Sequence, residues 1–158
     1  MIRPLLLLFL TYPFVGSLPS TEQTLVTVTV NESIVFVGMD TVISIGVEVK
    51  KGYHVQANKV NDESLIPTTL EVNNVENMTI TKQEFPLGKQ FKLEGTDSFL
   101  NVFDGKFLIK LFLSPGKEMK LGKYTLGAKL RYQACDSRSC LFPRVIDFSI
   151  PIDVRTMK

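Results

Sequence analysis

The stretch YQACDSRSCLFPR, Tyr132 to Arg144, holds Cys135 and Cys140, the only two cysteines of the 158-residue chain. Asp136-Ser137-Arg138-Ser139 separates them. The tip of a hairpin can bring such a pair within disulfide reach. A disulfide there could be a strut or a reagent. As a strut it is weak, because chain-entropy estimates allow ~2 kcal/mol for so short a loop. The hairpin already joins both arms, so little unfolded-state freedom is left to remove. As a reagent it needs an accessible sulfur, an attacking thiolate and a second thiol to release the mixed disulfide. Arg138 would favour a thiolate here and Asp136 would oppose it. The short loop argues for the reagent without excluding the strut.

No other residue set offers chemistry of comparable weight. His54 is the only histidine, so neither a zinc site nor a Ser-His-Asp triad can be assembled around it. No glycine-rich phosphate loop follows a strand. The formal net charge is +2, Trp is absent, and the lysines are spread singly, so nothing resembles a nucleic-acid surface. No metal, cofactor or nucleic acid is expected.

The elements that must position the cysteines have a period of two. Asp40–Lys50 puts Ile43, Ile45, Val47 and Val49 on one face. Gly105–Leu113 does the same with Phe107, Ile109, Leu111 and Leu113. Gly122–Cys135 aligns Tyr124, Leu126, Ala128, Leu130 and Tyr132, and Val145–Val154 aligns Ile146, Phe148, Ile150, Ile152 and Val154. Thr24–Val30 alternates similarly. These are antiparallel strands with one wet face. Shorter strands are expected at Ser33–Val37, Tyr53–Ala57, Thr69–Val72, Met78–Gln83 and Phe99–Val102. Turn residues separate most of them, as in Lys51-Gly52, Pro86-Leu87-Gly88 and Asp104-Gly105. With 44% hydrophobic and 22% charged residues, the expected fold is a single all-β domain, an immunoglobulin-like antiparallel β-sandwich. It lacks the widely spaced cysteines and the Trp of immunoglobulin domains proper.

Two expectations about the cysteine hairpin follow from parity. Cys135 shares parity with Lys129, Arg131 and Gln133, so a regular strand turns it to the wet face. If Cys135 opposed Cys140 in unbroken register, Leu130 would oppose Val145 and Leu126 would oppose Ser149, pairing core with solvent. The core faces match only after a one-residue slip, which requires a bulge or kink near Cys140–Ile146. Pro143, which has no N–H to donate, is the natural place for it.

The N-terminus, MIRPLLLLFLTYPFVGSLPS, has a charged Arg3, an apolar Leu5–Leu10 and compact residues at Val15-Gly16-Ser17. It is expected to be a secretory signal peptide over residues 1–17, leaving a soluble domain at 18–158. The apolar run is too short to span a bilayer. The mature chain is expected to be exported to a compartment that permits disulfides, periplasmic or secreted.

The segment AKLRYQACDSRSCLFPR (Ala128–Arg144) resembles the cysteine segment of the periplasmic N-terminal domain family of the thiol–disulfide interchange protein DsbD, also called the disulfide bond corrector family. GYHVQAN (Gly52–Asn58), LIPTTLEV (Leu65–Val72), FPLGK (Phe85–Lys89) and VFDGK with the apolar strand after it (Val102–Leu113) match in the same order. The resemblance implies an immunoglobulin-like redox module that needs no cofactor. Such modules pass reducing equivalents from a membrane electron transporter, through thioredoxin-like partners, to exported proteins. It implies that Cys140 forms the mixed disulfide and Cys135 resolves it. By its place before a Gly-Lys pair, it makes Phe103 an aromatic cap over the disulfide. The family's acidic cap-loop residues have no equivalents at Asn101 and Val102. Tyr132, Arg138 and Phe142, around the cysteines, are candidate contacts for a thioredoxin-like partner, although Tyr132 and Phe142 are equally well read as core and rim packing. DsbD continues into membrane helices and a thioredoxin-like domain, whereas this chain stops at Lys158. That implies separate partner chains or another task, and a monomer is expected. The competing reading, from another class, is a secreted immunoglobulin-like binding or assembly module with a structural disulfide.

Overall fold

The computed structural model describes residues 24–97 and 99–157; the expected signal peptide lies outside them. Twelve strands and no helix make up the regular structure of the described residues. The first sheet orders β1 (Val26–Thr29), β3 (Thr41–Val49), β9 (Lys106–Pro115) and β6 (Met78–Glu84). The second orders β2 (Ser33–Phe36), β12 (Arg144–Arg155), β10 (Gly122–Tyr132) and β5 (Thr69–Val72). All these pairings are antiparallel except that of β2 with β12.

The alternation read from the sequence sets the core. Ile43, Ile45, Ile109, Leu111 and Leu113 from the first sheet join Leu126, Leu130, Ile150 and Ile152 from the second in one buried cluster. Each such side chain contributes ~1.5–3 kcal/mol by leaving water. The architecture is the expected all-β, immunoglobulin-like sandwich.

A third sheet carries the cysteine region. It orders β11 (Ala134–Cys135), β4 (His54–Gln56), β8 (Phe99–Phe103) and β7 (Lys89–Lys92). Gly52, at φ 87°, turns the chain from β3 toward β4 in a conformation that suits glycine. β7 is absent from the strands expected by pattern. Its sequence KQFK is mostly exposed, as suits a lysine-rich edge strand.

The one-residue slip is present. β10 and β12 pair Leu126 with Ile150, Leu130 with Ile146 and Tyr132 with Arg144. Beyond that point Leu141 N–H donates to Ala134 O at 2.7 Å, and Cys135 opposes Cys140 in an isolated bridge. Between the two registers, Gln133 on one arm faces Phe142 and Pro143 on the other. Two residues against one is a bulge. It keeps Leu126 and Leu130 opposite core partners while the cysteines still meet.

Candidate functional site

Cys135 and Cys140 form a disulfide whose α-carbons are 3.9 Å apart. Cys135 sits on β11, which departs from β10 at Gln133 and pairs antiparallel with β4, Ala134 opposing Val55 and Cys135 opposing His54. Tyr132 and Ala134 belong to the main core, and Cys135 points to the other face of the sheet. Parity thus sets Cys135 on the face away from the main core, but that face is not wet. Cys135 is 0% exposed. Its outward face is covered by a second apolar cluster, in which Leu100 and Val102 of β8 surround it and Leu65, Phe91 and Leu93 pack alongside. An expectation of a wet Cys135 is therefore corrected: a sheet face distant in sequence folds over it.

Cys140 is half-buried. It lines an open groove of about 380 Å³ with Gln133, Leu141, Phe142, Pro143 and Arg144. The two sulfurs thus have unequal access, Cys135 enclosed and Cys140 at the groove.

The loop between them is organised by Asp136. Its Oδ1 accepts the backbone N–H groups of Arg138 and Ser139, both at 2.8 Å, and its own N–H donates to Ser139 O at 3.0 Å. Those two backbone bonds hold its carboxyl below the ordinary carboxylate value. Glu94 N–H donates to Ser137 O at 2.8 Å, tying the loop to the segment after β7.

Two glutamines build the floor. Gln133 bridges both arms and a neighbouring segment: its Nε2 donates to Leu141 O at 3.2 Å, and its Oε1 accepts Ile66 N–H at 2.9 Å. Gln56 is fully buried. Its Nε2 lies 3.3 Å from Cys135 Sγ and 3.6 Å from Cys140 Sγ. Its main chain is fixed by donation to Gln133 O at 3.0 Å and acceptance from Thr68 Oγ1 at 2.5 Å. Sequence reasoning missed both glutamines. Gln56 escapes because Val55, Gln56 and Ala57 are buried in a row, which leaves no alternation to read.

The sequence-derived site residues are only partly gathered here. Phe103 is buried in the main core, with its ring 4.7 Å from Phe107 and 6.4 Å from Phe85. It opposes Val55, the neighbour of Ala134, and so lies on the sheet face away from Cys135. The cap expectation is corrected accordingly: the cover over Cys135 comes from Leu100 and Val102, whose side chains alternate with that of Phe103. Tyr132 is 3% exposed and belongs to the core, so it offers no surface to a partner. Arg138 is exposed, with its Nε 3.5 Å from Glu94 Oε2; its charge is partnered by a carboxylate. Phe142 is 91% exposed at the groove beside Cys140. The bulge that restores the core register is what places it outside. His54, the cross-strand neighbour of Cys135, stacks on Phe91 with ring centroids 4.0 Å apart. Among the described residues no cluster of three His, Cys, Asp or Glu could hold a metal ion, and no helix is long and apolar enough to cross a membrane.

Neither a scan against protein-family models nor a search of curated proteins finds a match. Solved structures do match. The N-terminal periplasmic domain of ScsB from Proteus mirabilis superposes with a TM-score of 0.55 at 15% identity, over 87% of this chain and 50% of that one. AggA, the major subunit of aggregative adherence fimbriae type I from Escherichia coli, gives 0.44 at 15% identity over 82% and 94%. A family 123 glycoside hydrolase from Clostridium perfringens gives 0.42 at 8% identity over 85% and 28%. The chain spans about half the length of the ScsB domain structure it matches. What it shares with that periplasmic domain is the fold, a sandwich like that expected from the DsbD resemblance.

Proposed function

We propose that this protein is an exported thiol–disulfide interchange domain that passes reducing equivalents between thioredoxin-like partners through Cys135 and Cys140. The observation that carries the reading is the unequal access of the two sulfurs, one enclosed and one at an open groove. The likeness of the fold to the ScsB periplasmic domain supports it.

The chemistry follows from that asymmetry. A partner thiolate attacks Cys140 Sγ from the groove and forms a new S–S bond. The Cys140–Cys135 bond breaks, and its electron pair leaves on Cys135 Sγ. The partner's second thiol, as thiolate, then displaces Cys140. The partner ends as a disulfide, and this domain ends as a dithiol after taking up two protons. The reverse sequence hands the two electrons to the next protein. Phe142 borders the groove, and Arg138, exposed on the loop between the cysteines, is the second contact offered to a thioredoxin-like surface. A membrane electron transporter upstream, a periplasmic location and a monomeric state complete the proposal.

The second reading, a structural disulfide in a binding or assembly module, draws on one observation: Cys135 is packed into its own apolar cluster and the loop is bonded to Glu94. Trapping separates the two. With Cys135→Ala, Cys140 is expected to accumulate as a mixed disulfide with a thioredoxin-like protein. With Cys140→Ala, little or no complex is expected. Absence of any complex in both variants would leave the structural reading.

A further inference from the structure

Gln56 is a large polar side chain with no exposure, in a site otherwise lined by Leu100, Val102 and the disulfide. Its Nε2 points at both sulfurs, and its Oε1 is buried without a hydrogen-bond partner. A buried amide oxygen without a partner costs about 1–3 kcal/mol, and such groups in folded proteins call for an explanation. An aliphatic side chain would fill this space without that cost. The sulfurs of a disulfide accept hydrogen bonds only weakly, so in the oxidised protein the amide gains little from them.

The gain arises once the disulfide opens. We infer that Gln56 is a positioning residue that stabilises the Cys135 thiolate as it leaves Cys140. The inference rests on the interchange chemistry proposed above. When a partner sulfur bonds to Cys140 Sγ, the electron pair of the broken S–S bond resides on Cys135 Sγ. That sulfur is enclosed and cut off from water. A thiolate buried in apolar surroundings is disfavoured, and the Gln56 N–H is a fixed donor 3.3 Å away. A hydrogen bond to a charged acceptor is about twice as strong as one between neutral groups. The contact therefore strengthens as charge develops, which is the condition for lowering a barrier. Because Gln133 O and Thr68 Oγ1 hold the Gln56 backbone, the donor needs no reorganisation.

The test needs no partner protein. In Cys140→Ser, Cys135 is a lone thiol whose ionisation is followed by thiolate absorbance against pH. Around it His54 on β4, Asp136 and Arg138 on its own loop, and Glu94 after β7, which pairs with Arg138, stay the same throughout. Adding Gln56→Met, similar in size but without a donor, is expected to cut the thiolate fraction at a given pH about tenfold, one pKa unit. Adding Gln56→Glu, which places an acid at the same point, is expected to cut it further. Folded Met and Glu variants that titrate like the Gln56 protein would overturn the inference. If either variant fails to fold, the Gln56 side-chain NH2 resonances in Cys140→Ser decide the matter: they should shift along the Cys135 titration curve, and resonances that ignore it would overturn the inference. Because these readouts involve no exchange partner, they can succeed where trapping fails, and fail where trapping succeeds.

Discussion

Cys135 and Cys140 differ in setting more than their spacing suggests. Four residues separate them, yet one is enclosed by Leu100 and Val102 and the other opens on a groove. Asp136 holds the loop that makes this possible. Its lowered pKa means that the turn is at full strength above the unfolded carboxylate value of 3.8 and weakens as pH falls through the lower folded value. The Arg138 and Ser139 amide resonances should therefore move as pH is lowered below 3.8, and Asp136→Ala should abolish that movement while sparing the sandwich. Amides that stay fixed over this range would contradict the role given to Asp136. Of the residues singled out by sequence, the cysteines themselves were legible because nothing competes with them. Phe103 was misplaced because a motif match carries no information about which face of β8 it occupies. Parity makes Cys135 read as wet because its cover comes from β7 and β8, which are remote in sequence.

The sheet elements were legible wherever strands were long. Alternation in β3, β9, β10 and β12 named the buried side chains, and matching core to core across β10 and β12 demanded the slip found at Phe142-Pro143. The edge strand β7 escaped because its four residues are mostly polar and exposed. Two outcomes are expected at this scale. Leu100→Ala removes a buried leucine from the cover over Cys135 and should cost about 2–4 kcal/mol in urea unfolding. It should also speed reduction by glutathione; an unchanged rate would mean that this cluster does not shield the disulfide. Phe142→Ala removes a ring that is 91% exposed, so stability should change by less than about 0.5 kcal/mol. Mixed-disulfide formation with a thioredoxin-like partner should nevertheless slow several-fold. A normal rate would remove Phe142 from the docking surface.

For the whole molecule, the sandwich supports a hairpin tip whose pieces arrive from five separate segments. GYHVQAN supplies Gln56, LIPTTLEV supplies Leu65, Ile66 and Thr68, β7 and the residues after it supply Phe91, Leu93 and Glu94, the strand running into VFDGK supplies Leu100 and Val102, and the loop supplies the cysteines. This convergence gives a physical reason why those stretches occur together in one chain. A purely structural bridge at this tip would add ~2 kcal/mol at most by loop closure, and the large sandwich core would hardly need it. Whether the bridge exists to be opened is decided by the reduction potential of Cys135–Cys140 against glutathione. Interchange predicts a value between about −120 and −270 mV, the span of exchange proteins, with the reduced protein still folded. A potential below about −300 mV, as in structural disulfides, together with unfolding on reduction, would contradict it.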